Sequence, residues 1–442
     1  MNRQEKQLNQ YLQPLAGVSD DYNSILEATQ ETEHVFIGGA THGTHEFYSI
    51  RADITKRLIL EKGFNAIAIE GDWPDAYRIN QYVKGDKTIK SALDALDRFK
   101  KFPTWMWRNE VIVEFIDWLH HHNSKLSFDK KVGFYGLDLY SLNASVEIII
   151  KYLEENDINA AKKAKQRYAC FDPFKEELKS YGYATILGIT RSCEDEVIAQ
   201  LVELTSNSYQ YIKENGSNED EYFYIQQNTR LVKNAEKYYR SMFNDKTFSW
   251  NVRDKHMIEI LDQIAKHLGA KLHKKAQIVT WAHNSHVGDA RATEVRIKGQ
   301  LNMGQLAKEQ YPNKVLLIGF LTNTGSVIAA SGWNYAAEPK TVLSAINYSY
   351  EYFFHHLNPS NFLLNFKTQP QIKTLIPSEL LERSIGVIYL PETERESHYI
   401  HANLVKQFDI VIYIDKTSAI RPLEKSAILH SGEVFETFPF GV

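Results

Sequence analysis

Val35-Phe36-Ile37-Gly38-Gly39-Ala40-Thr41-His42-Gly43-Thr44-His45-Glu46-Phe47-Tyr48 is the stretch that decides how this chain folds. Three apolar residues run into two glycines, a polar turn carries Thr41 and His42, and Phe47, Ile50, Ile54 and Leu58 then recur at helical spacing. The pattern predicts a strand, a tight turn and a helix that stops at Gly63, a residue suited to a left-handed cap. Ligands of open α/β sheets bind at the carboxyl ends of strands, which makes His42 the first candidate for chemistry.

The same pattern recurs outward from this stretch. Ala66-Ile67-Ala68-Ile69 ends in Glu70-Gly71-Asp72, Val132-Gly133-Phe134-Tyr135-Gly136-Leu137 in Asp138, and Gln277-Ile278-Val279-Thr280-Trp281-Ala282 in His283. Val315-Leu316-Leu317-Ile318-Gly319-Phe320 leads to Thr322 and Asn323, Ile385-Gly386-Val387-Ile388-Tyr389-Leu390 to Glu392, and Ile410-Val411-Ile412-Tyr413-Ile414 to Asp415. Continuous apolar runs of this length are what strands covered on both faces show, and their polar ends imply one functional edge. Helical stripes lie between them, such as Val111, Phe115, Trp118 and Leu119, or Met257, Ile260, Leu261, Ile264 and Leu268. This alternation predicts an α/β fold, a three-layer α/β/α sandwich with a mainly parallel sheet, in preference to a closed barrel. From 144 to 250 no strand-like run occurs, and a helical insertion is expected there, with a polar loop at 215–220 and with Tyr181, Tyr183, Tyr209, Tyr222 and Tyr239 read as core or interface residues in preference to the lining of a groove for a bulky organic ligand. The core then consists of 1–143 and 251–442.

Composition narrows the partners. With 442 residues, 43% apolar and 24% charged, the chain can bury a large core and is an ordinary globular protein. Its net charge of −4 and the lack of a basic block argue against nucleic acid. No run approaches the ~20 apolar residues of a membrane span, and the polar start does not read as a signal peptide. A cytoplasmic protein is expected, acting on a small molecule. Cys170 and Cys193 are the only cysteines; they read as two structural thiols, too few for a disulfide framework or a thiolate zinc site.

Missing signatures narrow the chemistry. The chain has no Gly-x-Ser-x-Gly elbow, no His-Glu-x-x-His helix and no Gly-x-Gly-x-x-Gly turn, and the glycine spacing of 38–44 lacks the P-loop lysine. What remains is a set of ionisable groups at strand ends: His42, His45 and Glu46, then Glu70 and Asp72, then Asp138, then His283 and His286. If the sheet is parallel, these groups converge. A histidine with a carboxylate beside it can act as general base on water, while a second histidine or an arginine takes up developing negative charge. Arg51 and Arg108 are the cations within reach. His283 and His286 also have a spacing that would suit a divalent metal, although a His-x-x-His pair alone is weak evidence for one.

Ala40-Thr41-His42-Gly43-Thr44-His45-Glu46-Phe47, Trp105-Met106-Trp107-Arg108-Asn109, Phe134-Tyr135-Gly136-Leu137-Asp138 and Trp281-Ala282-His283-Asn284-Ser285-His286-Val287-Gly288-Asp289-Ala290-Arg291 together resemble the erythromycin esterase family, in its longer esterase-like branch. The resemblance covers nearly the whole chain. It implies an α/β/α fold with a helical insertion and a deep cleft, and hydrolysis of a macrolide lactone ester by histidine-activated water without a covalent serine intermediate; for this chain an ester or lactone of some organic molecule is expected, and no cofactor. It places His42 as the base, Glu70 as its carboxylate, and Arg51, His283 and His286 as the supporting catalytic groups; Glu46, Arg108 and Asp138, taken from the ionisable groups read above and not from the resemblance, are expected to face the substrate. One departure stands out. The family pattern Gly-Glu-x-x-His has Gly39 here in place of the glutamate, which motivates the rival expectation of a catalytically weak binding protein of the same fold; a further rival is a metal-dependent hydrolase using His42, Glu70 and His283.

Overall fold

A computed structural model describes residues 3–208, 210–214 and 218–424. Its strands are β1 (Gln13–Pro14), β2 (His34–Ile37), β3 (Ala66–Asp72), β4 (Gly133–Asp138), β5 (Ile278–Trp281), β6 (Val315–Ala329), β7 (Glu338–Val342), β8 (Asn361–Asn365), β9 (Leu380–Arg383), β10 (Tyr399–Ala402) and β11 (Ile410–Thr417). The main sheet has the order β1-β8-β11-β6-β2-β5-β3-β4, with β7 paired to β6, while β9 and β10 form a separate ribbon. From β11 to β4 every neighbour is parallel, and β8, β1 and β7 join antiparallel. This is the expected α/β fold with a mainly parallel sheet.

Alternation along each strand divides the core into two layers. Val35 and Ile37 of β2, Ile67 and Ile69 of β3 and Val279 and Trp281 of β5 pack against the helices His45–Lys62 and Glu110–Ser124. Phe36, Ala66, Ala68 and Ile278 face the opposite layer, which contains the helices Leu142–Asn156, Glu219–Ser241 and Lys246–Leu272. Side chains of successive strand residues point to opposite faces, so continuously apolar strands need a helical layer on each side. Gly63 closes the first long helix at φ 72°, in the left-handed cap its position predicts.

Two expectations are corrected. The apolar run 385–390 is not a strand; it makes isolated bridges, with Ile385 N–H donating to Ala40 O and Ala330 N–H to Val387 O. Ile385, Val387, Ile388 and Tyr389 are buried where the segment bridges Thr41 and Ala330, just beyond the ends of β2 and β6. Cys170 and Cys193 are also not separate thiols. Their Cα atoms are 6.1 Å apart and the sulfurs are joined.

Among the described residues, 144–250 contains helices joined by turns and no strand, and the helix Lys246–Leu272 runs on through position 250 into the core. Tyr181, Tyr222 and Tyr239 are buried, whereas Tyr183 is exposed and stacks on Phe243. Tyr209 and positions 215–217 of the expected loop lie outside the described residues; Asn218 caps the next helix by accepting the Asp220 N–H. No helix among the described residues is long and apolar enough to cross a membrane.

Candidate active site

The turn after β2 is fixed by its own hydroxyls. Thr41 Oγ1 and Thr44 Oγ1 are hydrogen-bonded at 2.6 Å, and the Tyr48 hydroxyl donates to His42 O at 3.1 Å. Gly43 packs so closely on β6 that a Cβ there would collide with the carbonyl of Ile328. These contacts hold the backbone of His42 and send its ring into a cavity of about 740 Å³. Among the described residues the imidazole has no direct hydrogen-bond partner, and its Nε2 lies 3.9 Å from Glu70 Oε1.

Glu70 is the hub. Its Oε2 accepts the backbone N–H of His283 at 2.8 Å, and its Oε1 accepts from Arg253 Nη2 at 2.9 Å. His286 Nε2 stands 3.3 Å from the same Oε1. Asp138, at the end of β4, grips Arg253 with both oxygens, at 3.0 Å to Nε and 2.6 Å to Nη2. Asp254, one residue further along the helix, takes His286 Nδ1 at 2.9 Å and is itself held by the Met303 N–H at 2.9 Å. Trp250 lies flat on the His286 ring, with centroids 4.5 Å apart and planes within 5°.

Environment divides the histidines. Burial pushes His42 down to about 3 against the pull of Glu70, with His283 and Arg51 adding to the lowering, so its ring is neutral at pH 7. Burial also opposes charge on His286, but Asp254 and Glu70 outweigh it and raise the ring to about 9. His286 Nδ1–H donates to Asp254, while Nε2 lies 3.1 Å from Arg253 Nη1 and 3.3 Å from Glu70 Oε1. Burial works against Glu70 as well, yet His286, His42 and Arg253 hold its carboxyl well below the usual range. The result is a neutral imidazole facing the cavity above an ionised carboxylate that two cations secure.

The residues expected from sequence separate into two groups. His42, Glu70 and Asp138 line the cavity, and His286 stands directly behind them. Arg51 is buried beneath the turn, giving Nε to Gly38 O at 2.6 Å and Nη2 to Ala282 O at 2.7 Å, so these donors are already used. His283 is also occupied: Nδ1 accepts the Ser285 N–H at 3.2 Å and Nε2–H donates to Ile385 O at 3.1 Å. Glu46 accepts the N–H and hydroxyl of Ser418, and Arg108 bonds Glu424 and Leu96 O; neither lines the cavity. No group of three or more His, Cys, Asp or Glu side chains among the described residues is placed to hold a metal ion.

Arg253 and Asp254 were missed by the sequence reading. A signal was present: both fall between Trp250 and Met257 on the apolar stripe of a helix, and charges on a buried face require partners. Gly39 also gains an explanation. A Cβ at this position would run into the guanidinium of Arg51, which occupies the space a side chain would need.

Around this centre the cavity is walled by Phe99, Phe102, Met106, Trp107, Tyr140 and Trp333, with charged residues at its mouth. Arg253 lies over the Tyr140 ring at 5.1 Å, linking the aromatic wall to the polar floor. A mainly apolar pocket of this size with a few convergent polar groups is typical of a small-molecule site.

A histidine, carboxylate and arginine centre at the carboxyl edge of a mainly parallel sheet defines the class as an α/β protein with a small-molecule cleft. The chain belongs to the erythromycin esterase family, whose sequence profile matches residues 59–417. His42 precedes the matched stretch. The fold is shared with a protein from Bacillus cereus, at TM-score 0.76 and 20% identity over 96% of this chain and 99% of that one. A succinoglycan biosynthesis protein matches at TM-score 0.72 and 20% identity, over 95% and 97%. A mutant of the erythromycin esterase EreC, in its open conformation, matches at 0.64 and 16%, over 93% and 96%. At these identities the three structures establish a common fold, and the family membership supports a hydrolase.

Proposed function

We propose that this protein hydrolyses an ester or lactone of a small organic molecule with water activated by His42. The observation that carries this reading is the His42 ring: neutral, facing the cavity, without a hydrogen-bond partner of its own and 3.9 Å from the Glu70 carboxylate. A ring nitrogen of His42 takes a proton from water as the water oxygen attacks the carbonyl carbon. Glu70 balances the imidazolium that forms. Arg253, a guanidinium on the cavity floor whose Nε and Nη2 are held by Asp138 and Glu70, donates to the oxyanion through its remaining Nη1–H, with Asp138 fixing its orientation and His286 behind it. The tetrahedral species then expels the alkoxide, which recovers the proton from His42, and acid and alcohol leave. Asp138 thus acts here as a positioning group for Arg253, and Arg51 and His283 support the backbone that carries the base.

The experiment is hydrolysis of a panel of macrolides and simple aryl and alkyl esters by the purified protein, with and without chelator, followed by mass spectrometry of products and of intact protein. The reading expects turnover that survives chelation, with no acylated enzyme accumulating. A trapped acyl-enzyme, or activity lost to chelator and restored by a divalent cation, would contradict it. Specific binding without turnover on any ester would favour a binding protein, the reading motivated by Gly39.

A further inference from the structure

The mouth of the cleft carries charge that hydrolysis of a neutral ester does not use. Positions 98–103 form one wall, in which Arg98, Lys100 and Lys101 are interleaved with Phe99 and Phe102; Lys175 faces the same cavity from the helical insertion. Among the described residues the Arg98 guanidinium has no hydrogen bond or ion pair, although it is an exposed cation beside a largely apolar wall. Lys100 and Lys175 have only solvent-exposed partners three residues away, Asp97 at 3.1 Å and Asp172 at 2.8 Å, and such pairs hold their cations weakly.

Besides Glu70 and Asp138, which Arg253 engages, three further acids line the cavity, Asp72, Asp75 and Glu176. Asp72 is taken up by the Tyr140 N–H at 3.0 Å and the Ser141 hydroxyl, and it interacts electrostatically with Lys101. Glu176 is exposed on the insertion side of the mouth. On the 98–103 wall the positive groups dominate, next to aromatic faces that would take the apolar part of a ligand.

We propose that the substrate is an organic anion: an ester whose apolar body lies along the aromatic wall and whose carboxylate or phosphate, remote from the scissile bond, is received by Arg98 with Lys100 and Lys175. The inference rests on the esterase reading for its reaction but not for its recognition. It predicts selectivity between molecules that differ in one charge.

The test uses monophenyl glutarate, with a free carboxylate, and its methyl ester, which is neutral and nearly isosteric. The ratio of kcat/KM values, anion over neutral, is expected to be tenfold or more for the natural chain, carried by KM. It is expected to shrink at least tenfold in Arg98→Glu and to fall in high salt. A ratio near one in the natural chain, or one that Arg98→Glu and salt leave untouched, would overturn the proposal. If neither ester is cleaved, the esterase reading fails separately, and recognition is read from quenching of tryptophan fluorescence by 5-phenylpentanoate against 5-phenylpentan-1-ol. Tighter binding of the carboxylate that Arg98→Glu abolishes sustains the proposal, and equal binding refutes it.

Discussion

At the level of single residues the candidate site sets two histidines of opposite pKa direction, His42 lowered and His286 raised, beside the same Glu70 oxygen. Glu70 is the group both depend on, since it meets His42, His286 and Arg253. Glu70→Gln should lower kcat/KM by about 10²-fold or more, the scale of losing one electrostatic partner in a buried site, while KM changes little. Steady-state kinetics on any accepted ester check this. Gly39→Ala should lower stability by ~1–3 kcal/mol, because the new Cβ displaces the Arg51 guanidinium from the Ala282 carbonyl in a packed interior. A denaturant titration measures the loss. That His42, Glu70 and Asp138 would meet at one cavity was legible in the sequence because each lies at or just beyond the carboxyl end of an apolar run. The occupations of Arg51 and His283 were not, since their partners, Ala282 O and Ile385 O, come from segments 231 and 102 residues away.

At the level of elements, the site depends on where β2, β3, β4 and β5 end and on one helix that crosses them. The parallel strands were legible because burial on both faces demands continuous apolar runs. Short edge strands give no such signal, and β1 and β8, which pair antiparallel at the edge, went unseen. The run 385–390 shows the opposite error: its four buried residues lie in a segment that bridges the chain beyond β2 and β6, and apolar runs do not reveal which kind of burial produced them. Cys170 and Cys193 teach the same lesson, since a separation of 23 residues says nothing about whether two helical segments meet. The contact between the His42 turn and β6 is the tightest of these joints. Ile328 and Ile420 both donate N–H groups to Gly43 O, at 3.0 and 2.9 Å, and a side chain at Gly43 meets backbone that has little freedom to yield. Gly43→Ala should therefore cost more stability than Gly39→Ala and reduce activity by moving His42, which thermal unfolding and ester assays together would register.

At the level of the whole molecule, buried histidines give stability a maximum in pH. His34, His256, His283 and His398 are lowered to about 4 and His42 to about 3 by burial, from 6.5. The unfolded chain binds these protons first, so stability falls as pH drops from 6.5 toward 4. His286, raised to about 9, and Glu382, which burial and Glu351 raise to about 8, hold protons that the unfolded chain has released. Their contribution is lost as pH rises toward 9. Tm should accordingly peak near the ordinary histidine value of 6.5 and decline on both sides, and a Tm that climbs steadily to alkaline pH would contradict the assignment. The central claim, that His42 is the base in a cleft built from four strand ends, is tested most directly by kcat/KM of His42→Ala beside the natural chain on an accepted ester. The account predicts a fall of about 10²- to 10⁴-fold, the range for a lost general base, with unfolding behaviour preserved. Activity that survives the substitution within a few-fold would contradict it.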